Sequence, residues 1–416
     1  MSGAAAPGTG SWAALAHRAY RQLWIAGALV FFAVMAQNIA RAWLAREITG
    51  TNAGLGGVLM GFGLLMLVAT PFGGVAADRL SKRAVIAVAT AILLLSSAWI
   101  GIAVALDAVE YWMLVGASGL QAVGFALYGP ARMAFISELL PDETVPNGIV
   151  LGQMSGEAAR VAGPAIAGVV IGALADGTAI VFIGAAVLSG ISLALTMPLP
   201  PGHPRPGRPV RSVIGEIVDG VRYVRHHDSL RLLVLTSLGV VIVGFPYIAF
   251  LPTVADEIFD VGSTGYGVMS AVTAAGAVAA ALLTARLSAG SHQVPLLGFA
   301  GVVFGAGIVG LGAAPHFAVA LLVLAAAGAA SLAFQTTNQS LLLAIGDFEY
   351  HGRIQSLVML GFSGFGIAAL PLGIVADAIG LRTTFAITGA VVLLISVGFL
   401  VRARTAMEPR RVDPPF

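Results

Sequence analysis

Between Leu287 and Gly346 the chain contains no Asp, Glu, Lys or Arg, and Ala84–Leu106 and Leu232–Ala255 are further uncharged runs. A bilayer core takes about 20 apolar residues per crossing helix. Lipid offers no hydrogen-bond partner to an open backbone, so each crossing must be helical. Only 10% of the 416 residues are charged and 58% are hydrophobic, against roughly 25% charged in an ordinary soluble domain. The net charge of +2, with basic residues scattered among loops, carries no nucleic-acid footprint. The absence of cysteine removes any disulfide framework or cysteine metal site. Arg21 leads directly into a full-length apolar span with no cleavage site behind it, so that span is expected to stay as a helix of the mature protein.

Apolar runs and their Gly, Pro and charged breaks predict an all-α integral membrane protein with twelve transmembrane helices in two six-helix pseudo-repeats. The first six are expected at Arg21–Leu44, Gly54–Ala76, Ala84–Leu106, Tyr111–Ile136, Asn147–Leu174 and Ala179–Met197. The other six are expected at Leu230–Val254, Gly265–Leu287, Val294–Gly312, Phe317–Ile345, Ile354–Ala376 and Thr383–Val401. The domain plan is a tail 1–20, a half 21–197, a linker 198–229, a half 230–401 and a tail 402–416. The linker opens Pro-rich and continues as an amphipathic helix near Val213–Arg225. Seventeen Lys and Arg flank the helices on one side, against Arg46 and Arg382 on the other. The positive-inside rule therefore places both termini in the cytoplasm of a cell whose inner (plasma) membrane the chain spans. Ile48–Val58 (ITGTNAGLGGV) parallels Ile258–Val268 (IFDVGSTGYGV), and Gly172–Asp176 (GALAD) parallels Gly373–Asp377 (GIVAD). Both offsets suit a six-helix duplication, the plan of many transporters.

Gly73–Arg83 (GGVAADRLSKR) crowds Asp78, Arg79, Lys82 and Arg83 onto the end of an almost uncharged helix. The basic residues suit positive-inside anchoring, but that does not explain Asp78. An acid there can approach the positive N-terminal end of another helix, and Lys82 or Arg83 can pair with Glu138 at the end of the fourth. The stretch resembles the signature loop of the major facilitator superfamily, Gly-x-x-x-Asp-Arg-x-Gly-Arg-Arg/Lys, at Gly74, Asp78, Arg79, Ser81, Lys82 and Arg83, with Ser81 in place of a glycine. The resemblance covers essentially the whole chain. It implies a cytoplasmic latch in which Asp78 meets the eleventh helix beyond Gly352 and Arg353, closing the inner side of an outward-facing state. Trp43–Gly56, Gly129–Glu143 and Val221–Leu233 are similar to the branch of enterobactin exporters and macrolide efflux pumps. That branch implies export of partly apolar molecules driven by proton entry.

Polar groups at membrane depth are costly and are functional candidates by default. Gln153, Glu157 and Arg160 share a face of the fifth helix; Glu157 carries a proton, binds substrate or forms a fixed ion pair. Burial and a neighbouring Arg160 or Arg132 act on its protonation in opposite senses. Gln37, Asn38 and Arg41 form a polar face on the first helix, and Gln335, Asn338 and Gln339 one on the tenth. Those amides bind substrate or bond between helices. Tyr128, Tyr247, Phe362 and Phe365 offer apolar contact or plain packing. On the fourth helix, Gln121 and Gly124 resemble part of a family motif whose arginine is replaced by Ser118, which removes proton coupling through that residue. Gly163–Gly168 (GPAIAG) resembles an exporter motif, with Ala167 replacing a glycine.

His226, His227 and Asp228 read as a solvated linker and no metal site, and the Gly54–Gly63 cluster reads as helix packing, since no strand precedes it. The function expected is secondary export of small amphipathic molecules of drug, macrolide or siderophore type by alternating access, with protons and the lipid bilayer as partners. No cofactor, enzymatic activity or nucleic-acid partner is expected, and the state is a monomer. An uncoupled facilitator or importer of the same fold is the alternative. A membrane-embedded enzyme would need an acid/base pair, and Glu157 stands alone.

Overall fold

The computed structural model describes residues 12–203, 213–287, 293–347 and 350–406. Six long helices come first: α1 (Arg18–Thr49), α2 (Asn52–Arg79), α3 (Lys82–Ala105), α4 (Tyr111–Leu139), α5 (Val145–Ala173) and α6 (Gly177–Thr196). The linker helix α7 (Val213–Arg225) follows. Six more complete the chain: α8 (Asp228–Ile258), α9 (Gly262–Leu287), α10 (Gln293–Ala313), α11 (Phe317–Ile345), α12 (His351–Ile379) and α13 (Leu381–Ala406). Among the described residues, nine of these helices are long and apolar enough to cross a membrane. Large apolar side chains such as Leu95, Leu322 and Leu394 point outward, while Arg41, Lys82 and Gln121 are buried. That inversion suits a lipid solvent.

The expected helices are present, most with an extra turn at one end. Segment Leu230–Val254 departs from the expectation of one uninterrupted α-helix. Its first α-helical part ends at Gly244; Phe245–Phe250 is 3-10 helix, Leu251–Thr253 is briefly α-helical again, and Val254–Ile258 is a π turn. Pro246 and Pro252 lack the N–H that an α-helix needs, so the backbone changes its hydrogen-bond step there.

Helix ends follow local chemistry. Thr51 caps α2 by accepting the Gly54 N–H at 3.1 Å, and Ser81 caps α3 by accepting the Ala84 N–H at 3.3 Å. The serine that replaces the family glycine thus starts a helix. Gly50 closes α1 at φ 64°, a conformation that favours glycine.

The chain forms two compact units. The first comprises the chain to Val210 with Ala249–Ala271 and Ala369–Gly373; the second comprises Arg211–Ile248, Val272–Ala368 and the chain from Ile374. In the first, α2 packs on α4, α3 on α6 and α4, and α1 on α5 and α6. A Cβ on Gly73 would lie 1.8 Å from the Ala126 oxygen, so glycine permits the α2–α4 approach. In the second unit α10 packs on α11 and α13, and α8 on α13. Gly276 abuts Ala325 and Gly328 abuts Thr273, which joins α9 to α11. The pairs in the second unit repeat those of the first, with each helix's counterpart seven labels later because α7 lies between, as the duplicated stretches suggested.

Candidate functional site

The loop after α2 is held from its C-terminal side. Lys82 is fully buried; its Nζ lies 3.7 Å from Glu138 Oε1 and donates to the His203 carbonyl at 2.7 Å. Glu138 Oε2 accepts the His203 N–H at 2.9 Å. Arg83 donates to the Leu199 carbonyl at 2.9 Å and the Met197 carbonyl at 3.3 Å. These groups tie the start of α3 and the end of α4 to the chain leaving α6. Asp78 and Arg79 are exposed. Among the described residues Asp78 carries no hydrogen bond or ion pair. Gly74 has open space where a Cβ would stand. The side chain of Arg353 lies outside the described residues, as does that of Phe362.

Arg41 stands at the centre of a second cluster. It is 3% exposed and donates to Gln37 Oε1 at 3.1 Å, to Gln121 Oε1, and more distantly to Asn38 Oδ1 at 3.5 Å. Gln121 Nε2 donates to Asn38 Oδ1 at 3.1 Å, and Ser97 Oγ donates to Gln37 Oε1 at 3.0 Å. Helices α1 and α4 therefore meet on one guanidinium, and α3 joins the network through Gln37. Its Nε has no hydrogen-bond partner among the described residues. Asn38 is exposed, so the cluster opens to the surface through that residue.

Arg132 and Tyr128, on α4, occupy a third position. The Arg132 guanidinium lies 5.4 Å from the Phe31 ring centre, within cation–π range. Phe31 also packs edge-on against Tyr128, with ring centres 6.3 Å apart. A Cβ on Gly27 of α1 or Gly152 of α5 would come within 3.1 Å and 2.6 Å of this guanidinium. Arg132 is 8% exposed, and its Nε and the Tyr128 oxygen lack hydrogen-bond partners among the described residues. An apolar cavity of ≈ 460 Å³ also lies along α1 and α5, lined by Trp24, Phe32, Leu151 and Met154 among others.

Further along α5, Arg160 Nε lies 3.3 Å from Glu157 Oε2, with the two side chains 58% and 34% exposed. Gln153 is exposed on the same helix. In the second unit, Tyr247 is buried edge-on against Phe304 at 5.8 Å, and the Tyr247 oxygen and Asn338 Oδ1 lack hydrogen-bond partners among the described residues. Gln335 donates to the Ser331 carbonyl of its own helix at 3.4 Å, one turn from Gln339. The linker helix α7 docks through Tyr223. Its hydroxyl donates to Asp347 Oδ2 at 2.9 Å and accepts the Asp347 N–H at 3.0 Å, and its ring stacks on Tyr350 at 3.9 Å. Burial pushes the Tyr223 phenol above its ordinary value. The His226 and His227 rings bond the Arg222 and Tyr223 carbonyls of their own helix.

One cluster escaped the sequence reading, which counted Arg46 only as a loop charge. Arg46 is 8% exposed, caps α1 by donating to the Gly50 carbonyl at 2.6 Å, and pairs with Glu257 and, at 3.6 Å, with Asp256. Beside it, Thr253 Oγ1 donates to Asn52 Oδ1 at 2.8 Å. A Cβ on Gly168 would lie 2.4 Å from Gly267, one on Gly56 2.3 Å from the Ala369 oxygen, and one on Gly373 2.4 Å from the Asn52 oxygen. The ends of α1, α2 and α5 thus pack tightly on 253–267 and 369–373. The signal was in the duplication: Arg46 precedes ITGTNAGLGGV as Asp256 precedes IFDVGSTGYGV. Equivalent positions of the two repeats carry opposite charges and meet.

Two sets of six membrane helices with matching internal packing form an arrangement from which many membrane transporters are built. A solved bacterial homolog of the human lysosomal transporter Spinster, in an inward-facing and occupied conformation, superposes with a TM-score of 0.75 at 15% identity, covering 93% of this chain and 96% of that one. Residues 9–412 match the family described as transmembrane secretion effector, and the chain belongs to that family of the major facilitator superfamily. The staphyloferrin A transporter of Staphylococcus aureus (strain NCTC 8325 / PS 47) is 23% identical over 287 residues, 67% of this chain and 70% of its own length. The uncharacterized MFS-type transporter YfiS of Bacillus subtilis (strain 168) is 24% identical over 373 residues, 85% of each chain. Family and fold are those of transporters and not of enzymes.

Proposed function

We propose that this chain is a secondary active exporter of small amphipathic molecules, working by alternating access in the inner membrane and coupled to proton entry. The observation that carries this reading is a contrast between two ends of one unit. At the Arg46 end, ion pairs and glycine contacts close α1, α2 and α5 onto 253–267 and 369–373. At the Lys82 end, Asp78 is exposed and, among the described residues, carries no hydrogen bond or ion pair. A transporter that opens its ends in turn needs both a closed set of contacts and a latch waiting to form. With both termini cytoplasmic, as the seventeen-to-two distribution of basic residues favours, the closed end faces outward. Asp78 then closes the inner side by meeting the N-terminal end of α12 near Arg353 when the outer contacts part.

Export is supported by the secretion role in the family description and by the Gly163–Gly168 stretch, and a siderophore-type substrate by the staphyloferrin A transporter among the relatives. Glu157 carries the proton, and Gln37, Asn38, Arg41, Gln121, Gln153, Gln335, Asn338 and Gln339 contact substrate. The 3.3 Å contact of Glu157 with Arg160 favours the second reading, an uncoupled carrier in which the pair is fixed. Proton movement in proteoliposomes, followed on adding macrolides, dyes and siderophores, separates the two. Proton release from the lumen with some compounds, lost in Glu157→Gln, is expected; transport without proton movement would establish the uncoupled carrier. Asp78→Asn is expected to insert normally and to turn over slowly; normal turnover would remove the latch.

A further inference from the structure

The buried cations of the first unit fall into two kinds. Lys82 faces Glu138, and Arg46 faces Asp256 and Glu257. Arg41 and Arg132, at 3% and 8% exposure, have no carboxylate within ion-pair distance among the described residues. Among the described residues Arg41 bonds only the neutral oxygens of Gln37, Asn38 and Gln121, and Arg132 rests on the Phe31 ring. Each leaves its Nε without a hydrogen-bond partner among the described residues. A guanidinium stays charged at any physiological pH, and an uncompensated charge at membrane depth is costly to keep. Packing alone would be served better by an apolar side chain.

We propose that Arg41 and Arg132 are two successive stations for the carboxylate of an anionic, amphipathic substrate, which supplies the counter-charge the protein withholds. A guanidinium binds a carboxylate through two parallel N–H donors, and both arginines keep donor capacity free. At Arg41 the weakest contact, 3.5 Å to the exposed Asn38, is the one a carboxylate displaces. Gln121, which touches Arg41, and Arg132 lie on the same helix α4. Eleven residues of rise separate them by about 16 Å, too far for one small carboxylate to bridge. An apolar cavity lies along α1 and α5, the helices whose Gly27 and Gly152 approach the Arg132 guanidinium, and offers a surface for the body of such a molecule, although Arg132 does not itself line it. This inference rests on the transporter reading and names its substrate class.

The test is equilibrium binding to the full-length protein in detergent, using dansyl-glycine and its methyl ester as fluorescent probes. Wild type is expected to bind the acid at least about tenfold more tightly than the ester, the ratio that one added charge-assisted contact supplies. Arg41→Gln with Arg132→Gln is expected to remove that preference while ester binding persists, which shows the variant is folded. The charge-retaining pair Arg41→Lys and Arg132→Lys is expected to preserve the preference. Equal binding of acid and ester by wild type, no acid binding, or equal loss of both probes in the glutamine variant would overturn the assignment. No gradient enters the measurement, so a failure of export or proton coupling in the flux assay leaves this result standing on its own.

Discussion

At the scale of single residues, the chain separates charges that hold the fold from charges that await something. Lys82 joins Glu138 to the chain leaving α6, so its removal leaves a half-buried carboxylate without its cation. Lys82→Met is expected to lower stability by roughly 1–3 kcal/mol, the cost of an unsatisfied buried polar group. Arg79→Ala, on an exposed side chain, should stay within about 0.5 kcal/mol. Thermal unfolding in detergent compares them, and equal midpoints would show that the ion pair contributes nothing. Arg382, the second basic residue on the sparse side, donates to the Gly312 carbonyl at 2.8 Å and the Ala314 carbonyl at 3.3 Å. Arg46 does the same for Gly50. Both exceptions to the charge asymmetry serve helix ends. The arginine that the family motif places at Ser118 has a counterpart from another helix, since Arg41 reaches Gln121 one turn away.

At the scale of elements, glycine decides which helices approach one another and alanine-sized positions tolerate the rest. Gly168 on α5 faces Gly267 so closely that a Cβ would sit 2.4 Å from its Cα, whereas Gly156 on the same helix has open space. Gly168→Val should hold the Arg46 end apart. A bias of 1.4 kcal/mol shifts a two-state equilibrium about tenfold, so transport is expected to fall by at least that factor. Gly156→Ala should transport normally. Flux in proteoliposomes at matched protein levels is the measurement; unchanged flux in Gly168→Val would mean this contact does not belong to the cycle. The departure of α8 from a plain helix has a similar local cause. Pro246 and Pro252 break its hydrogen-bond pattern, and the resulting π turn presents Asp256 and Glu257 to Arg46.

For the whole molecule, the absence of native cysteine makes a direct test of alternating access available. Asn52 and Thr253 touch through a 2.8 Å hydrogen bond. Paired cysteines at these two positions are expected to cross-link on oxidation and to arrest transport, with reduction restoring it. The reagent should reach them from outside the cell, which checks the orientation at the same time. Full transport by the cross-linked protein would show that this end need not open. If only a reagent supplied from the cytoplasm reacts, both termini lie outside.

What the sequence determined by itself was the solvent of the protein, its helices and its duplication. Long uncharged runs admit only membrane helices, because an open backbone has no partner in lipid. The signature loop and Gln37, Asn38 and Arg41 were legible because charge and amides stand out against an apolar background. Only the tertiary structure decided who meets whom. Nothing local marks Arg41 as lacking a carboxylate, or Arg46 as facing Asp256 and Glu257 more than two hundred residues away. Ion pairing is a matter of distance across packed helices; the duplication puts Arg46 and Asp256 at equivalent positions, but only the packing brings them within reach.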